Sequence, residues 1–266
     1  MVVPSRCLLF GAIATITLLA ACVRRPAVNG QRKELDMRRT TAADDSNDRT
    51  SDQTDTFADD RNRMVQAQLV SRDIHDQRVL DAMRRVPRHL FVPEDLRGSA
   101  YADRPLPIGE RQTISQPYIV ALMTQLAETK PNSRALDVGT GSGYQAAVLA
   151  ELCEHTYSIE IVPSLAETAA ERLAELGYDN VTVRCGDGYR GWPEHAPFDL
   201  IILAAAPDHI PPALIEQLAP GGRLILPVGD YRQELVVVNK RADGSTHQRT
   251  ITLVAFVPMT GEAQRK

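Results

Sequence analysis

A glycine-rich segment between an apolar strand and a helix constrains the fold of this chain more than any other part of the sequence. It spans residues 136–144 and reads LDVGTGSGY. Its glycines permit a tight turn and let a ligand come close to backbone amides. A strand followed at once by such a turn and a helix is typical of nucleotide-binding sites in parallel sheets. We therefore expect a nucleotide-type ligand at the carboxyl end of this strand.

Strand-like and helix-like patterns alternate after this point, which predicts the fold class. Strands are expected at 134–138, 156–161, 181–184, 198–205 and 223–226, and helices at 144–152, 165–176 and 212–218. This alternation predicts a mostly parallel sheet with helices on both faces. Two further strands, 234–240 and 250–257, flank a turn at 242–244 and predict an antiparallel hairpin at the sheet edge. With the helical patterns that begin near Arg61, the prediction is a doubly wound, Rossmann-like α/β fold with N-terminal helices and an antiparallel C-terminal edge hairpin.

The spacing of the glycines narrows the choice of nucleotide. A dinucleotide fingerprint has the form G-x-G-x-x-G, whereas Gly139, Gly141 and Gly143 follow G-x-G-x-G. Asp137 precedes this loop; it would repel a pyrophosphate but attract an ammonium group such as that of a methionine moiety. The sequence contains no G-x-x-x-x-G-K-[ST] phosphate loop. The segment therefore favours S-adenosylmethionine over NAD.

Two more acidic residues follow the next two predicted strands. Glu160 ends the second strand, where an acid can accept hydrogen bonds from both ribose hydroxyls. Asp187 follows the third strand and can accept a hydrogen bond from an adenine amino group. Each acid taken alone is more often a cap or turn residue. Three acids after successive strands are hard to explain in that way.

The sequence resembles a known enzyme family in two sets of segments. The first set, similar to the successive motifs of class I methyltransferases, is 137–144, 158–160, 186–188, 197–202 and 220–224. The second set resembles protein-L-isoaspartate O-methyltransferases and comprises 107–109, 112–117, 204–207 and 226–229. The resemblance runs from about Met64 to the C-terminus, and the 112–117 loop (QTISQP) is its most discriminating part. The family does not normally carry the first sixty residues.

This resemblance implies transfer of a methyl group from S-adenosylmethionine to the free carboxylate of isoaspartyl residues in damaged proteins and peptides. A carboxylate is already ionised at neutral pH, so the reaction needs positioning rather than a general base. The family's active-site serine corresponds to Ser115, whose hydroxyl would orient the substrate carboxylate. The alternative interpretation is that Ser115 only caps the helix that follows it.

The other site residues fall into two groups by the same resemblance. The expected cofactor-binding residues are Asp137, Gly139, Thr140, Gly141, Ser142, Gly143, Glu160, Asp187 and Gly188. The expected substrate-binding residues are Thr113, Gln116, Ala206, Pro207, Val257, Pro258 and Thr260. The histidines lack the spacing of metal ligands, and we expect no metal.

The N-terminal part of the chain differs in kind from the rest. Residues 8–21 are almost wholly apolar and end in Leu-Ala-Ala before Cys22, which resembles the lipobox of bacterial lipoproteins. The alternative is a chance apolar stretch ahead of a misassigned start. Residues 23–63 are polar and of mixed charge, which predicts a disordered linker. The expected organisation is a signal segment at 1–22, a linker at 23–63 and a methyltransferase domain at 64–266.

Composition and cofactor supply bear on partners and location. A net charge of −4 and an aromatic content of 5% argue against a nucleic-acid partner. We expect a monomer whose catalytic domain is not embedded in a membrane. Since S-adenosylmethionine is held in the cytoplasm, a cytoplasmic enzyme translated from a later start such as Met64 is favoured. The alternative is a periplasmic protein anchored through Cys22.

Two other functions remain compatible with these motifs. One is a methyltransferase of the same fold that acts on another substrate, against which the 113–117 loop argues. The other is a lipid-anchored binding protein that keeps the fold without turnover. The intact Ser115, Asp137, Glu160 and Asp187 argue against such a loss of activity.

Overall fold

The computed structural model describes residues 56–264 of the chain. The predicted signal segment at 1–22 and the predicted linker up to residue 55 lie outside the described residues. Between residues 56 and 264, each helix is too short or too polar to cross a lipid bilayer.

Helices form the first part of the described chain. Helix α1 (Ala58–Met64) continues into a π-helical segment, Val65–Val70, and α2 spans Gln77–Arg85. Asp76 caps α2 as its position predicts, because its side chain accepts a hydrogen bond from the Arg78 backbone nitrogen at 2.9 Å. Helix α1 begins at Ala58, ahead of the helical start expected near Arg61. Phe57, the residue before it, stacks on His89 at 4.3 Å and so fixes the start of the helix.

A short hairpin precedes the third helix. Strands β1 (Leu106–Gly109) and β2 (Gln112–Ile114) pair in antiparallel fashion where the sequence predicted an irregular loop. A three-residue strand is too short to show an alternating pattern, so no periodicity in the sequence indicates it. Helix α3 (Pro117–Leu126) then follows, with a proline in its first turn as expected.

The remaining chain builds a seven-stranded sheet. Its strands are β3 (Arg134–Val138), β4 (His155–Glu160), β5 (Val181–Cys185), β6 (Phe198–Leu203), β7 (Leu218–Val228), β8 (Gln233–Lys240) and β9 (Thr246–Val254). Three helices connect strands of the sheet: α4 (Tyr144–Ala150), α5 (Pro163–Glu175) and α6 (Pro212–Glu216). The order is β5-β4-β3-β6-β7-β8-β9, parallel as far as β7 and antiparallel for β8 and β9. The predicted parallel sheet with an antiparallel edge hairpin is confirmed.

Both faces of this sheet are buried. Adjacent residues of a strand point to opposite faces, and Ile201 and Ile202 accordingly belong to separate apolar clusters. The cluster of Ile202 also contains most of the buried residues of α1 to α4, and the cluster of Ile201 contains Leu214 of α6. The chain runs from β3 outward to β5 and returns to β6 on the other side of β3. This reversal opens a crevice at the carboxyl ends of the central strands, where ligands of such sheets bind.

Candidate active site

A cavity of about 920 Å³, called here the first cavity, lies at this crevice. Its wall includes residues that end or follow four strands: Gly139 to Ser142 after β3, Glu160 to Val162 at β4, Asp187 and Gly188 after β5, and Ala204 and Ala205 after β6. Strand β2 with the loop after it, and residues 257–260, close the cavity from two other sides. The topology therefore brings distant segments to one site.

The loop between β3 and α4 has the conformation that its glycines allow. Gly139, Gly141 and Gly143 have φ angles of +93°, +52° and +91°, a region that residues with a Cβ rarely adopt. The backbone nitrogens of Gly139 and Thr140 donate to the Ile159 carbonyl oxygen at 2.8 and 3.2 Å. These bonds hold the loop against the end of β4.

Glu160 connects the loop that follows its own strand, β4, with the glycine loop that follows β3. Its Oε2 accepts a hydrogen bond from the Gly141 backbone nitrogen at 2.8 Å, and its Oε1 accepts one from that of Val162 at 3.0 Å. The side chain lies on the wall of the first cavity, and the residue is only 5% exposed. Because a carboxylate oxygen can accept more than one hydrogen bond, both oxygens keep capacity for hydroxyl groups of a ligand.

Both carboxylate oxygens of Asp187 also accept hydrogen bonds. Oδ1 accepts from the Tyr189 nitrogen at 3.0 Å, and Oδ2 accepts from the Glu262 nitrogen at 2.8 Å. The second bond ties Asp187 to residues 257–264, called here the C-terminal segment. The Ala206 nitrogen donates to the Val257 oxygen and the Met259 nitrogen to the Ala206 oxygen, each at 2.8 Å. The C-terminal segment is therefore anchored beyond β6 at one end and on Asp187 at the other.

Asp137 lies behind the wall rather than on it. It is fully buried, and Oδ2 accepts a hydrogen bond from Ser158 Oγ at 2.8 Å, while Ser158 Oγ also lies 2.6 Å from Thr140 Oγ1. Oδ1 has no hydrogen-bond partner among residues 56–264. Burial raises the pKa of Asp137 to about 7, although the bond from Ser158 opposes this shift. An unpartnered buried oxygen at this place fits a nearby cationic group of a ligand.

This raised pKa predicts a pH-dependent stability difference between the protein and its Asp137→Asn variant. Between its ordinary pKa of 3.8 and about 7, Asp137 keeps its proton in the folded state and loses it in the unfolded chain. The free energy of unfolding of the wild type, relative to the variant, should therefore fall as pH rises from about 4 to about 7 and stay level above. Denaturant titrations of both proteins at several pH values measure this difference. A relative stability that is constant or rises over that window contradicts the prediction.

A second cavity, of about 1240 Å³, lies beside the first. Its wall contains Arg72, Pro105, Thr113, Ser115, Gln116, Tyr118, Ile119, Ala204 and residues 252–257. Four of these residues also line the first cavity, namely Thr113, Ser115, Ala204 and Val257. The two cavities therefore meet at Ser115 and its neighbours.

Ser115 does not serve as the cap of α3. The N-cap residue is Gln116, and no side chain of the cap position bonds the first turn. Asp103 bonds that turn instead, because its Oδ1 accepts a hydrogen bond from the Tyr118 nitrogen at 3.1 Å. The interpretation of Ser115 as only a helix cap is wrong, since Asp103 supplies the acceptor that the helix needs.

These features match one sequence family along nearly all of the described chain. The sequence model of protein-L-isoaspartate(D-aspartate) O-methyltransferases matches residues 59–264. The chain belongs to this family. No group of three or more His, Cys, Asp or Glu side chains within residues 56–264 is arranged to hold a metal ion.

Individual members of the protein-L-isoaspartate O-methyltransferase family are similar to this chain. The protein-L-isoaspartate O-methyltransferase of Opitutus terrae is 60% identical over 205 residues, which cover 76% of this chain and 88% of that protein. Protein-L-isoaspartate O-methyltransferase 2 of Syntrophobacter fumaroxidans is 62% identical over 188 residues, covering 70% and 76%. A Plasmodium falciparum protein described as a member of this family was solved with S-adenosyl-L-homocysteine. It superposes with a TM-score of 0.66 at 28% identity, covering 75% of this chain and 98% of that one.

The structure brings most of the predicted site residues of this methyltransferase to the two cavities. On the first cavity lie Thr113, Ser115, Gly139, Thr140, Gly141, Ser142, Glu160, Asp187, Gly188, Val257, Pro258 and Thr260. Gln116 lies on the second.

Four predicted site residues line neither cavity. Asp137 is covered by the glycine loop, and Gly143 packs on Leu173 of α5. Ala206 forms a bridge with Pro258, and the Pro207 oxygen accepts from the Gly229 nitrogen at 2.9 Å. Their contacts hold the wall in place from behind.

Sequence reasoning missed the apolar lining of this site. Val138 at the end of β3, and Ile159 and Ile161 on either side of Glu160 at the end of β4, line the first cavity beside the recognised acids. Their position at the ends of predicted strands was the feature of the sequence that could have identified them as lining residues. Met123 of α3 also lines it. Nothing in the sequence distinguishes Gln145, whose Nε2 donates to Thr124 Oγ1 at 3.0 Å.

Proposed function

We propose that this protein transfers the methyl group of S-adenosylmethionine to the free carboxylate of isoaspartyl residues in damaged proteins and peptides. The observation that carries the proposal is the meeting of the two cavities at Thr113, Ser115, Ala204 and Val257. A methyl donor in the first cavity and a peptide in the second face each other across Ser115. Transfer between two bound molecules requires such an arrangement.

The residues of the first cavity suit the methyl donor. S-adenosylmethionine, when bound, supplies an electrophilic methyl group on its sulfonium sulfur. Glu160 presents acceptors for the ribose hydroxyls, and Asp187 presents one for the adenine amino group. Asp137 attracts the donor's ammonium group from behind the glycine loop, where its Oδ1 lacks a partner. The apolar side chains of Val138, Ile159 and others exclude water from the donor.

The acceptor needs orientation and only partial dehydration. A carboxylate is ionised at neutral pH, so no residue has to remove a proton from it. The Ser115 hydroxyl is not used by helix α3 and donates a hydrogen bond to one carboxylate oxygen, which turns the other towards the methyl group. A single neutral donor orients the nucleophile without stabilising it strongly. Thr113 and Gln116 line the entrance for the flanking peptide.

The Ser115→Ala variant tests this assignment. We expect kcat/KM for a peptide with one isoaspartyl residue to fall by about 10- to 100-fold, as for loss of one hydrogen bond to a charged group. The dissociation constant of S-adenosylhomocysteine should stay unchanged, since the serine does not hold the donor. Methyl transfer from labelled S-adenosylmethionine and equilibrium binding measure the two effects.

One control tests specificity for the isoaspartyl substrate, and the other tests the effect of a serine-to-alanine change away from the site. The same peptide with ordinary aspartate should not be labelled, and Ser245→Ala, in the turn between β8 and β9, should behave as the wild type. Donor binding without labelling of either peptide would overturn the isoaspartyl assignment. Unchanged kinetics of Ser115→Ala would overturn the role of the serine.

We further propose a cytoplasmic monomer. The methyl donor is held in the cytoplasm, and Ser115, Asp137, Glu160 and Asp187, the residues assigned to donor and acceptor, all belong to the same domain. The signal segment at 1–22, the linker from residue 23 and the methyltransferase domain that follows belong to the same proposal, with the boundary before helix α1 at Ala58 rather than at residue 63, because residues 58–63 are helical. Mass spectrometry of the native N-terminus tests the location, and a lipidated Cys22 would overturn it. Light scattering of the purified protein tests the monomer.

A further inference from the structure

Arg88 is a fully buried side chain that forms no ion pair within residues 56–264; the carboxylate of Asp103 attracts its charge only weakly, as the smallest of the influences on its pKa. It is 0% exposed, and none of the ion pairs found within residues 56–264 includes it. Its Nη1 has no hydrogen-bond partner in that part of the chain. Burial lowers the pKa of Arg88 to about 10, so the group still carries its charge at neutral pH. An unpaired buried cation is costly, and an apolar side chain of similar volume would avoid that cost.

The partners of this guanidinium lie around the active site. Nε donates to the Ala100 oxygen and Nη2 to the Ser115 oxygen, each at 2.7 Å. The guanidinium carbon lies 4.8 Å from the ring centre of Tyr144, the first residue of α4 after the glycine loop. The bond to the Ser115 oxygen fixes the peptide plane that follows this residue. It thereby fixes the direction in which the Ser115 side chain leaves the backbone.

A second arginine makes a comparable bond on the other side of the site. Arg172 of α5 is half-buried, and its Nη1 donates to the Ser142 oxygen at 2.8 Å. Ser142 belongs to the glycine loop and lines only the first cavity, whereas Ser115 lines both. The loop after β2 and the glycine loop are thus each bonded at a serine carbonyl by an arginine.

We propose that Arg88 is a positioning residue for the acceptor carboxylate. It holds the Ser115 carbonyl, and its positive charge, which Asp103 attracts without forming an ion pair, favours an anion beside Ser115. Coulombic attraction acts strongly here because the guanidinium is shielded from water. The inference rests on the proposed function, since it assigns a role in binding the carboxylate substrate. Arg172 is the matched control, because it makes the same kind of bond on the loop of the methyl donor.

The test compares three variants of the full chain with the wild type. For Arg88→Met we expect KM for the isoaspartyl peptide to rise at least tenfold, with the dissociation constant of S-adenosylhomocysteine within threefold of wild type. Arg88→Lys keeps the charge but cannot reach both carbonyls. Its KM for the peptide should therefore lie between that of the wild type and that of Arg88→Met. Arg172→Met should show the opposite split, with weaker donor binding and an unaltered peptide KM at saturating donor.

The outcomes separate this inference from a structural role and from the proposed function. Equal losses in donor binding and peptide KM for Arg88→Met, or no loss in either, overturn it, and so does a lysine variant no better than methionine. If Arg88→Met does not fold, Arg88→Lys decides: a raised KM with unchanged donor binding supports the inference, and parallel changes overturn it. A wild type that labels no isoaspartyl peptide overturns the proposed function itself. Normal wild-type kinetics with an unaffected Arg88→Met overturn the Arg88 inference alone.

Discussion

Replacement of Glu160 by glutamine is expected to weaken the binding of S-adenosylhomocysteine by about 100-fold. The carboxylate accepts hydrogen bonds from the Gly141 and Val162 nitrogens, and we propose that it also accepts from the ribose hydroxyls. Glutamine turns one of its two acceptor oxygens into an NH₂ group, which faces an N–H donor wherever it points. Bonds to a charged acceptor are worth about 1.5–3 kcal/mol each, so loss of one or two accounts for the effect. The damage extends to the loop itself, since Gly141 loses a strong acceptor.

Isothermal titration calorimetry with S-adenosylhomocysteine measures this effect. The matched control is Glu167→Gln on the exposed side of α5, which removes the same charge a short distance along the chain and should leave binding unchanged. A dissociation constant of Glu160→Gln within threefold of the wild type would show that this carboxylate does not hold the donor.

Replacement of Gly261 by alanine is expected to detach the C-terminal segment and to weaken donor binding by at least tenfold. Gly261 has a φ angle of +81°, which an alanine adopts only with strain of about 1–2 kcal/mol. A Cβ at this position would also overlap Asp187 Oδ2 and lie 2.7 Å from Ile161 Cδ1. Asp187 cannot move aside without losing its bonds to the Tyr189 and Glu262 nitrogens. The segment must therefore shift, and the first cavity opens at Asp187, where we propose that adenine binds.

Gly244→Ala provides a control with the same backbone strain and no overlap. Gly244 has a φ angle of +84°, but a Cβ there meets nothing within 4 Å. Thermal unfolding and donor binding of both variants distinguish strain from steric conflict. Equal donor affinity in the two variants would mean that the C-terminal segment does not shape the donor site. We expect a small loss of thermal stability in both and a loss of affinity in Gly261→Ala only.

The parts of the fold that follow local patterns were predictable from the sequence. The alternation after residue 134 predicts the parallel sheet, and the glycine loop with Asp137, Glu160 and Asp187 predicts where the ligand-binding crevice lies. Each of these features depends on neighbours within one strand and one turn. The hairpin of β1 and β2 gave no such signal because its strands are very short.

The contacts that complete the site join residues distant in sequence and could not be predicted in this way. Asp103 bonds the start of α3 at Tyr118 and so leaves Ser115 free of a capping role. Asp187 accepts a hydrogen bond from the Glu262 nitrogen, 75 residues further along the chain. The burial of Asp137, which moves it from the wall to a position behind it, depends on the packing of Ser158 and Thr140. A single sequence carries no periodicity or spacing that indicates these pairs.

The place of the C-terminal segment has a consequence for the order in which a newly made chain becomes active. Proteins are synthesised from the N-terminus, and all seven strands of the sheet precede residues 257–264. A nascent chain that has already paired β9 still lacks the Glu262 nitrogen that bonds Asp187 and the wall formed by residues 257–260. Formation of the sheet therefore does not by itself complete the first cavity, and a ligand that contacts residues 257–260 binds only after these residues have taken their place.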